Sequence, residues 1–397
     1  MVDVKVLDSQ ISEILDDVIK LRRTIHENPE LGYEEYKTSE LVARELESCG
    51  IKVERFKDST AVVGLLAGAK PGKTLLLRAD MDALPIPEET GLPFASKVPG
   101  KMHACGHDIH TATLIGAAKI LSKYREKICG NIKFMFQPAE ECNPTGGAKK
   151  MIDDGILENP KVDFAMALHV WPDLRVGEIG TRVGPISAQS DRLYITVKGK
   201  AGHASAPHTA IDAIVASAQV ISSLQTVISR RINPKDFVVI TIGKINGGHR
   251  ANVICDRVDM EGSVRIMSPD VDSDTIAQFI KSAGEAAAAS VGATFEMNYV
   301  KGYPMTINDE AFTTRVEEIL KANLAEYTIK EVPLDAGGED FSYVSHKVPS
   351  VYLKIGSTPE DASEIIPPHN SRVIFDERCI PIGIKVFAVT ALEILSE

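Results

Sequence analysis

The segment TLLLRAD, residues 74–80, is a short apolar run that ends in a carboxylate. Two similar runs follow along the chain, NIKFMFQ at residues 131–137 and DFAMALHV at residues 163–170. Helical patterns at residues 109–124 and around 147–154 separate the runs. Short, continuous apolar runs that alternate with helices are typical of a mainly parallel sheet covered on both faces. The sequence therefore predicts an α/β fold.

The pattern changes between residues 186 and 302. There we predict strands at 192–199, 237–245, 254–267 and 294–300 and helices at 210–231 and 271–289. This βαββαβ order indicates a ferredoxin-like domain. The later residues return to alternating helix and strand and are expected to complete the first sheet. We thus predict a larger α/β domain formed by residues 1–185 and 303–397, into which residues 186–302 are inserted.

Composition narrows the classes of function. The chain has 397 residues, and 44 basic against 55 acidic side chains give a formal net charge of −11. That balance argues against nucleic acid or an anionic membrane as the main partner, so a small molecule is the expected one. The six cysteines form no CxxC pair, which fits a reducing compartment. Together with the lack of a signal-peptide pattern or a long apolar stretch, this predicts a cytoplasmic protein.

Side chains that can bind metals follow the predicted strands and begin one predicted helix. In an open α/β sheet, ligands gather beyond the carboxyl ends of the strands, so these residues are expected to meet in one crevice. The cysteine lies at a helix N-terminus, where the helix dipole favours a thiolate over a thiol. The residues concerned are Asp80, Asp82, Cys105, His107, Glu140, Glu141, His169 and His369.

Five of these residues form a mixed sulfur, nitrogen and oxygen set suited to zinc or another late first-row ion: Cys105, His107, Glu141, His169 and His369. Five ligands exceed the three that usually hold one catalytic zinc, so the count predicts two divalent ions. Zinc, manganese, cobalt and nickel all suit these ligands. Glu140, the neighbour of Glu141, is then free to take a proton from a metal-activated water.

Each feature also has a simpler interpretation. A pair of glutamates is usually a solvated surface, and CGHDIH at residues 105–110 could be a helix cap in which Asp108 satisfies backbone donors. Only the joint placement of the groups favours the metal site. His103 and His110 could be structural or could support metal ligands from behind. The histidines at positions 26, 208, 249 and 346 are taken as structural.

Eight motifs, in order along nearly the whole chain, bring a family to mind: RADMDALP (78–85), HACGHDIHTA (103–112), FQPAEE (136–141), GGAKKMIDDG (146–155), KGKAGHAS (198–205), ANVICD (251–256), AGGEDF (336–341) and PPHNSR (367–372). Together they resemble the metallo-amidohydrolases that include aminoacylases, hippurate hydrolases, bacterial N-acyl-L-amino-acid amidohydrolases and plant auxin-conjugate hydrolases. The pairing of CGHD with QPAEE is the most specific part of this resemblance.

The resemblance implies a two-metal catalytic domain and an inserted lid domain that often mediates dimerisation. It implies the same five metal ligands, with Glu140 as the general base and Asp82 as the acid that orients a ligand imidazole. His203 matches a lid histidine that reaches the substrate, often from the partner protomer. Asn252 and Arg265 match residues that hold the substrate carboxylate.

Three functions remain open at this point. The first is hydrolysis of the amide bond of N-acyl-L-amino acids, and the second is a metallo-carboxypeptidase or dipeptidase that acts on short peptides. The third is a zinc-storing or scaffold protein, which Glu140 disfavours because a storage site needs no unligated carboxylate. For either enzyme we expect a homo-oligomer, a dimer or a tetramer.

Overall fold

The computed structural model describes residues 3–396, which form two compact units. Unit 1 comprises the described residues through Ile186, Thr306–Pro333, and the described residues from Asp340 onward. Unit 2 comprises Ser187–Met305 and the short segment Leu334–Glu339. The sequence did not predict that segment as part of the insertion. It belongs there because the Ala188 amide donates to the carbonyls of Asp335 and Gly337.

The helices, numbered along the chain, are α1 Val4–Glu27, α2 Tyr36–Ser48, α3 His107–Ser122, α4 Gly147–Asp153, α5 Ala213–Arg231, α6 Ser273–Ala289, α7 Glu310–Asn323, α8 Ser342–Ser345 and α9 Cys379–Ile394. The strands are β1 Lys52–Arg55, β2 Val62–Ala67, β3 Lys70–Asp80, β4 Cys129–Gln137, β5 Phe164–Arg175, β6 Glu178–Thr181, β7 Gly184–Ser187, β8 Gln189–Lys198, β9 Gly202–His203, β10 Val238–Gly247, β11 Val253–Ile254, β12 Arg257–Ile266, β13 Thr294–Tyr303, β14 Thr306–Asn308, β15 Thr328–Glu331 and β16 Ser350–Thr358.

The sheet of unit 1 has the strand order β1-β2-β4-β3-β5-β16-β6-β15. Its central strands β4, β3, β5 and β16 are parallel, as the apolar runs predicted. The outer strands β1 and β2 pair antiparallel with their neighbours, and β6 pairs antiparallel with β16 but parallel with β15. The sequence did not predict β1, β2 or β15. The edge strands β1 and β15 are short, largely exposed and carry no apolar run, whereas β2 is apolar and mostly buried.

The burial of the candidate site follows from the position of helix α3 in the core. Its residues HDIHTATLIGAAKILS are almost all buried, and it packs against α1 and α9. A helix that is apolar on every side belongs in the core. The polar side chains at its N-terminus are therefore carried into the interior, next to the ends of β3 and β4.

Unit 2 is ferredoxin-like, as predicted. Its antiparallel sheet has the order β10-β12-β8-β13, and the helices α5 and α6 share one hydrophobic core with it. That core takes alternate residues of each strand, such as Leu193, Ile195 and Val197 of β8. The other alternate residues face away from the helices. No helix within residues 3–396 combines the length and apolar character needed to cross a membrane.

Candidate metal centre

Asp82 organises the loop that carries the two glutamates. Its Oδ1 accepts from the amide of Glu140 at 3.0 Å, and its Oδ2 accepts from the amide of Glu141 at 2.9 Å. The same Oδ1 lies 3.3 Å from Nδ1 of His107. One buried carboxylate therefore holds both the loop and an imidazole, as the resemblance implied for the imidazole.

A second buried carboxylate supports the same loop from the other side. Ala139 has a left-handed φ of 57°, which is unusual for a residue with a Cβ. Its amide donates to Oε1 of Glu35 at 2.8 Å, and Thr60 donates to Oε2 at 2.5 Å. Burial, and then the negative charge of Asp82, raise the pKa of Glu35 to about 7. No feature of the sequence predicted this role of Glu35.

Gly106 places Cys105 and His107 side by side at the start of α3. Its φ is 83°, and a Cβ at this position would lie 2.3 Å from a methyl group of Val170. Only glycine satisfies both the conformation and the close approach. The turn therefore brings the thiol and the imidazole to one side of the site.

Two groups of three ligand-type residues share Cys105. One group is Cys105, His107 and His169, and the other is Cys105, Glu141 and His369. Within each group the ligand atoms all lie within 4.8 Å of one another. The structure thus brings together the five residues predicted as ligands, with the cysteine common to both groups. Glu140 also lies within this distance of His107 and Glu141.

The two distal histidines are held by backbone contacts. Nδ1 of His169 lies 2.6 Å from the carbonyl of Val170, and its Nε2 lies 3.5 Å from the Cys105 sulfur. His169 does not end its strand as the sequence suggested, because β5 continues to Arg175 along β16. His369 has a φ of 63°, and its amide donates to the Ala104 carbonyl at 2.8 Å.

The charges in this cluster fit a bound cation. Burial, followed by Glu141, Glu140 and Asp80, raises the pKa of the Cys105 thiol well above its usual value. This reverses the expectation that the helix N-terminus favours a thiolate. Although burial opposes it, Asp80 and Asp82 raise the pKa of His107 to about 10, and its buried Nε2 has no hydrogen-bond partner among the described residues. A divalent ion would replace these protons and use that unpartnered nitrogen.

His110 forms a further group of ligand-type residues with Asp80 and His107, but its ring nitrogens already have partners. Its Nδ1 lies 2.6 Å from Oδ1 of Asp80, and its Nε2 accepts from the amide of Val170 at 2.9 Å, so both ring nitrogens are used. His103 is fully buried, and neither ring nitrogen has a hydrogen-bond partner within residues 3–396. Burial lowers the pKa of His103 to about 4, which keeps the ring neutral.

Beneath the cluster lies a buried network centred on Arg78. Its guanidinium donates to Asp80 at 2.7 Å, to Gln137 at 2.9 Å and to Asp340 at 3.1 Å. Although burial opposes ionisation, Arg78 holds the pKa of Asp80 well below its usual value. The network ties together the ends of β3 and β4. An arginine inside the apolar run TLLLRAD was the available signal for it.

The remaining predicted site residues lie in unit 2. Nδ1 of His203 accepts from the amide of Ser205 at 3.2 Å and lies 2.7 Å from its hydroxyl. The carbonyl of Asn252 accepts from the amide of Ala204 at 3.2 Å, so the antiparallel pair β9 and β11 holds His203 and Asn252 near each other. Arg265 lies on β12, and burial, then Arg192, lower its pKa.

Thiol, imidazole and carboxylate groups gathered at one edge of an α/β sheet form a site suited to binding metal ions and activating water. The sequence profile of Peptidase family M20/M25/M40 matches residues 76–393. The chain belongs to this family.

Relatives with different described activities resemble the chain over most of its length. Thermostable carboxypeptidase 2 of Saccharolobus solfataricus is 40% identical over 392 residues, which is 98% of each chain. The N-acyl-L-amino acid amidohydrolase of Geobacillus stearothermophilus is 41% identical over 298 residues, or 75% of this chain and 80% of that protein. The YXEP protein of Bacillus subtilis, a dinuclear metal-binding peptidase of the M20 family, has a solved structure with 34% identity. It covers 97% of this chain and 99% of its own, with a TM-score of 0.83.

Proposed function

We propose that this hydrolase cleaves the amide bond of N-acyl-L-amino acids with the aid of two divalent metal ions. The observation that carries the proposal is the pair of ligand groups that share Cys105. Cys105, His107 and His169 would hold one ion, and Cys105, Glu141 and His369 would hold the other. Bound there, the ions supply a water of lowered pKa and polarise the scissile carbonyl.

Glu140 is the general base in this proposal. It is buried and lies beside the ligand groups, yet it belongs to neither of the two that share Cys105. Its carboxylate takes the proton of the attacking water and passes it to the leaving amine. Asp82 fixes the direction of Glu140 through the amide of that residue. Glu35 fixes the preceding turn.

Groups of unit 2 bind the substrate in this proposal. Because Nδ1 of His203 accepts from the Ser205 amide, Nε2 is the ring nitrogen that carries a proton, and this N–H group can stabilise the oxyanion. Arg265 holds the substrate carboxylate with its fork of N–H donors, and Asn252 assists it. These roles rest on the family resemblance.

A metallo-carboxypeptidase is the second candidate. Cleavage of a peptide bond next to a free carboxylate needs the same groups, and a relative with 40% identity carries the carboxypeptidase name. The two candidates differ only in the acyl part of the substrate. Both candidates require bound metal for activity.

The experiment compares acetate release from N-acetyl-methionine and benzoate release from hippurate with amino-acid release from dipeptides. Each assay is run on metal-free protein reloaded with zinc, manganese, cobalt or nickel. We expect faster turnover of the N-acyl amino acids. Faster turnover of dipeptides would support the second candidate, and no turnover with any ion would contradict both.

We also propose that the protein is a homo-oligomer and that His203 acts on the partner's substrate. Mixing His203→Ala with Glu140→Ala under conditions of subunit exchange tests this arrangement. Activity should return because each mixed dimer then holds one site with both residues intact. No recovery despite demonstrated mixed dimers would reject the shared site.

A further inference from the structure

The helix-free face of the unit 2 sheet carries two arginines that have no ion-pair or hydrogen-bond partner in the described part of the chain. On the ladder between β8 and β12, Arg265 pairs with Ser190, and Arg192 pairs with Ser263. Directly paired residues share a face, and so do residues two apart on one strand. Arg192 and Arg265 are therefore diagonal neighbours on one face of the sheet.

The other basic side chains that these strands place on this face are paired with carboxylates. Lys198 lies 2.5 Å from Glu296, Lys244 lies 2.5 Å from Glu261, and Arg257 lies 2.7 Å from Asp259. Among residues 3–396, by contrast, the guanidiniums of Arg192 and Arg265 have no ion-pair or hydrogen-bond partner.

Adjacent like charges repel each other. Burial lowers the pKa of Arg265, and the charge of Arg192 lowers it further. Asp335 and Asp191 raise this pKa. Asp191 is itself buried and accepts from the Tyr299 hydroxyl and the Gly302 amide. Two cations kept together in this way are stabilised when an anion binds both.

A glycine, Gly338, lies beside Arg265. A Cβ on Gly338 would lie 3.5 Å from the Arg265 guanidinium and 2.7 Å from the Cβ of Ser190. A side chain at position 338 would therefore clash with Ser190, the ladder partner of Arg265. Arg192 is exposed and Arg265 is half-buried, so both can be reached from solution.

We propose that Arg192 is a specificity-determining residue that binds a second carboxylate of the substrate, so that the enzyme prefers N-acyl derivatives of acidic amino acids. This rests on the proposed function, in which Arg265 holds the α-carboxylate. One guanidinium, that of Arg265, can bind the α-carboxylate through two hydrogen bonds. Arg192 is then available to bind the side-chain carboxylate of aspartate or glutamate.

The test compares N-acetyl-L-glutamate with N-acetyl-L-glutamine, which has nearly the same shape but no side-chain charge. We expect wild-type kcat/KM to be about three- to tenfold higher for the glutamate substrate at low ionic strength. Arg192→Gln should reduce this preference to near unity by raising KM for the glutamate substrate alone. The matched control is Arg257→Gln, which removes an ion-paired guanidinium from the same face and should keep the preference.

Binding of both ligands to the Glu140→Gln variant, measured by calorimetry with and without Arg192→Gln, gives a second readout. A charge preference in binding that Arg192→Gln abolishes would support the inference even without turnover. No preference in wild type, or an equal loss for both ligands in Arg192→Gln, would overturn it. Failure to hydrolyse any N-acyl amino acid would contradict the proposed function, and the calorimetric comparison would still decide the role of Arg192.

Discussion

The Asp82→Asn substitution tests how the site is held in place. The carboxylate accepts from three groups, the amides of Glu140 and Glu141 and the ring of His107. Asparagine has one acceptor oxygen and one donor nitrogen. If its oxygen keeps the contacts with Glu140 and His107, its amino group faces the Glu141 amide, and two donors then oppose each other.

The expected loss of stability follows from the number of hydrogen bonds that Asp82 accepts. A hydrogen bond to a charged acceptor is worth about 1.5–3 kcal/mol, and Asp82→Asn leaves at least one buried N–H group unpaired. We therefore expect the metal-free protein to lose about 2 kcal/mol of unfolding free energy. Metal affinity should fall about 10–100-fold, because Asp82 orients the ligand His107 and the backbone of the ligand Glu141.

Two measurements check this prediction. Denaturant unfolding of the metal-free protein gives the stability, and a competition titration with a chromophoric chelator gives the metal affinity. Asp17→Asn is the control, because Asp17 lies on the surface in an exposed pair with Lys20. Stability within about 0.5 kcal/mol of wild type together with unchanged metal affinity would refute the positioning role of Asp82.

Three further predictions concern Glu140, Glu141, Glu35 and His26. Glu140→Gln should lower kcat at least about 100-fold with nearly unchanged metal content, whereas Glu141→Gln should lose metal. Kinetics and metal analysis of both variants test this, and the reverse pattern would show that the two glutamates have each other's role. Glu35→Ala should lower kcat because the Ala139 amide loses its acceptor, and Glu35→Gln should restore it because the Thr60 hydroxyl can reverse its hydrogen bond; equal kinetics of the two variants would contradict this. Although burial opposes it, Asp108 and Glu88 raise the pKa of His26 from 6.5 to about 8. Protonated His26 therefore contributes about 2 kcal/mol to the free energy of unfolding. This contribution is complete below pH 6.5 and is lost as the pH rises through 8. The difference in unfolding free energy between metal-free wild type and His26→Gln should shrink over that range, and a constant difference would exclude the contribution.

The sequence predicted the parts of the fold that have a strong pattern. The apolar run ending at Asp80 and the helix that begins near His107 are both present, with boundaries that differ by a few residues. It predicted neither the edge strand β15 nor the assignment of Leu334–Glu339 to unit 2. These features depend on hydrogen bonds between segments far apart in the chain, and such bonds leave no local pattern.

Some features of the candidate site could likewise be predicted from the sequence, and others could not. Glu141 and His369 could be grouped in advance because they follow strands whose carboxyl ends meet at one edge of the sheet, and Cys105 and His107 because they begin a helix that follows such a strand. His169 was grouped with them although its strand continues beyond it. The contact of Glu35 with the Ala139 amide could not be predicted, because a glutamate between two helices looks like any solvated residue. The raised pKa of Cys105 was also hidden, since burial and three carboxylates outweigh the helix dipole only once the chain is folded.

Metal titration of metal-free protein, with bound metal and hydrolysis of N-acetyl-methionine measured in the same samples, is the most direct test of the proposed mechanism. We expect no hydrolysis before metal is added, saturation at two ions per chain, and a higher melting temperature with bound metal because the ions bind the folded state. Metal binding by the Cys105→Ala variant should be weakened at both positions, because both ligand groups share that sulfur. Full hydrolysis at undetectable metal content would contradict the proposal.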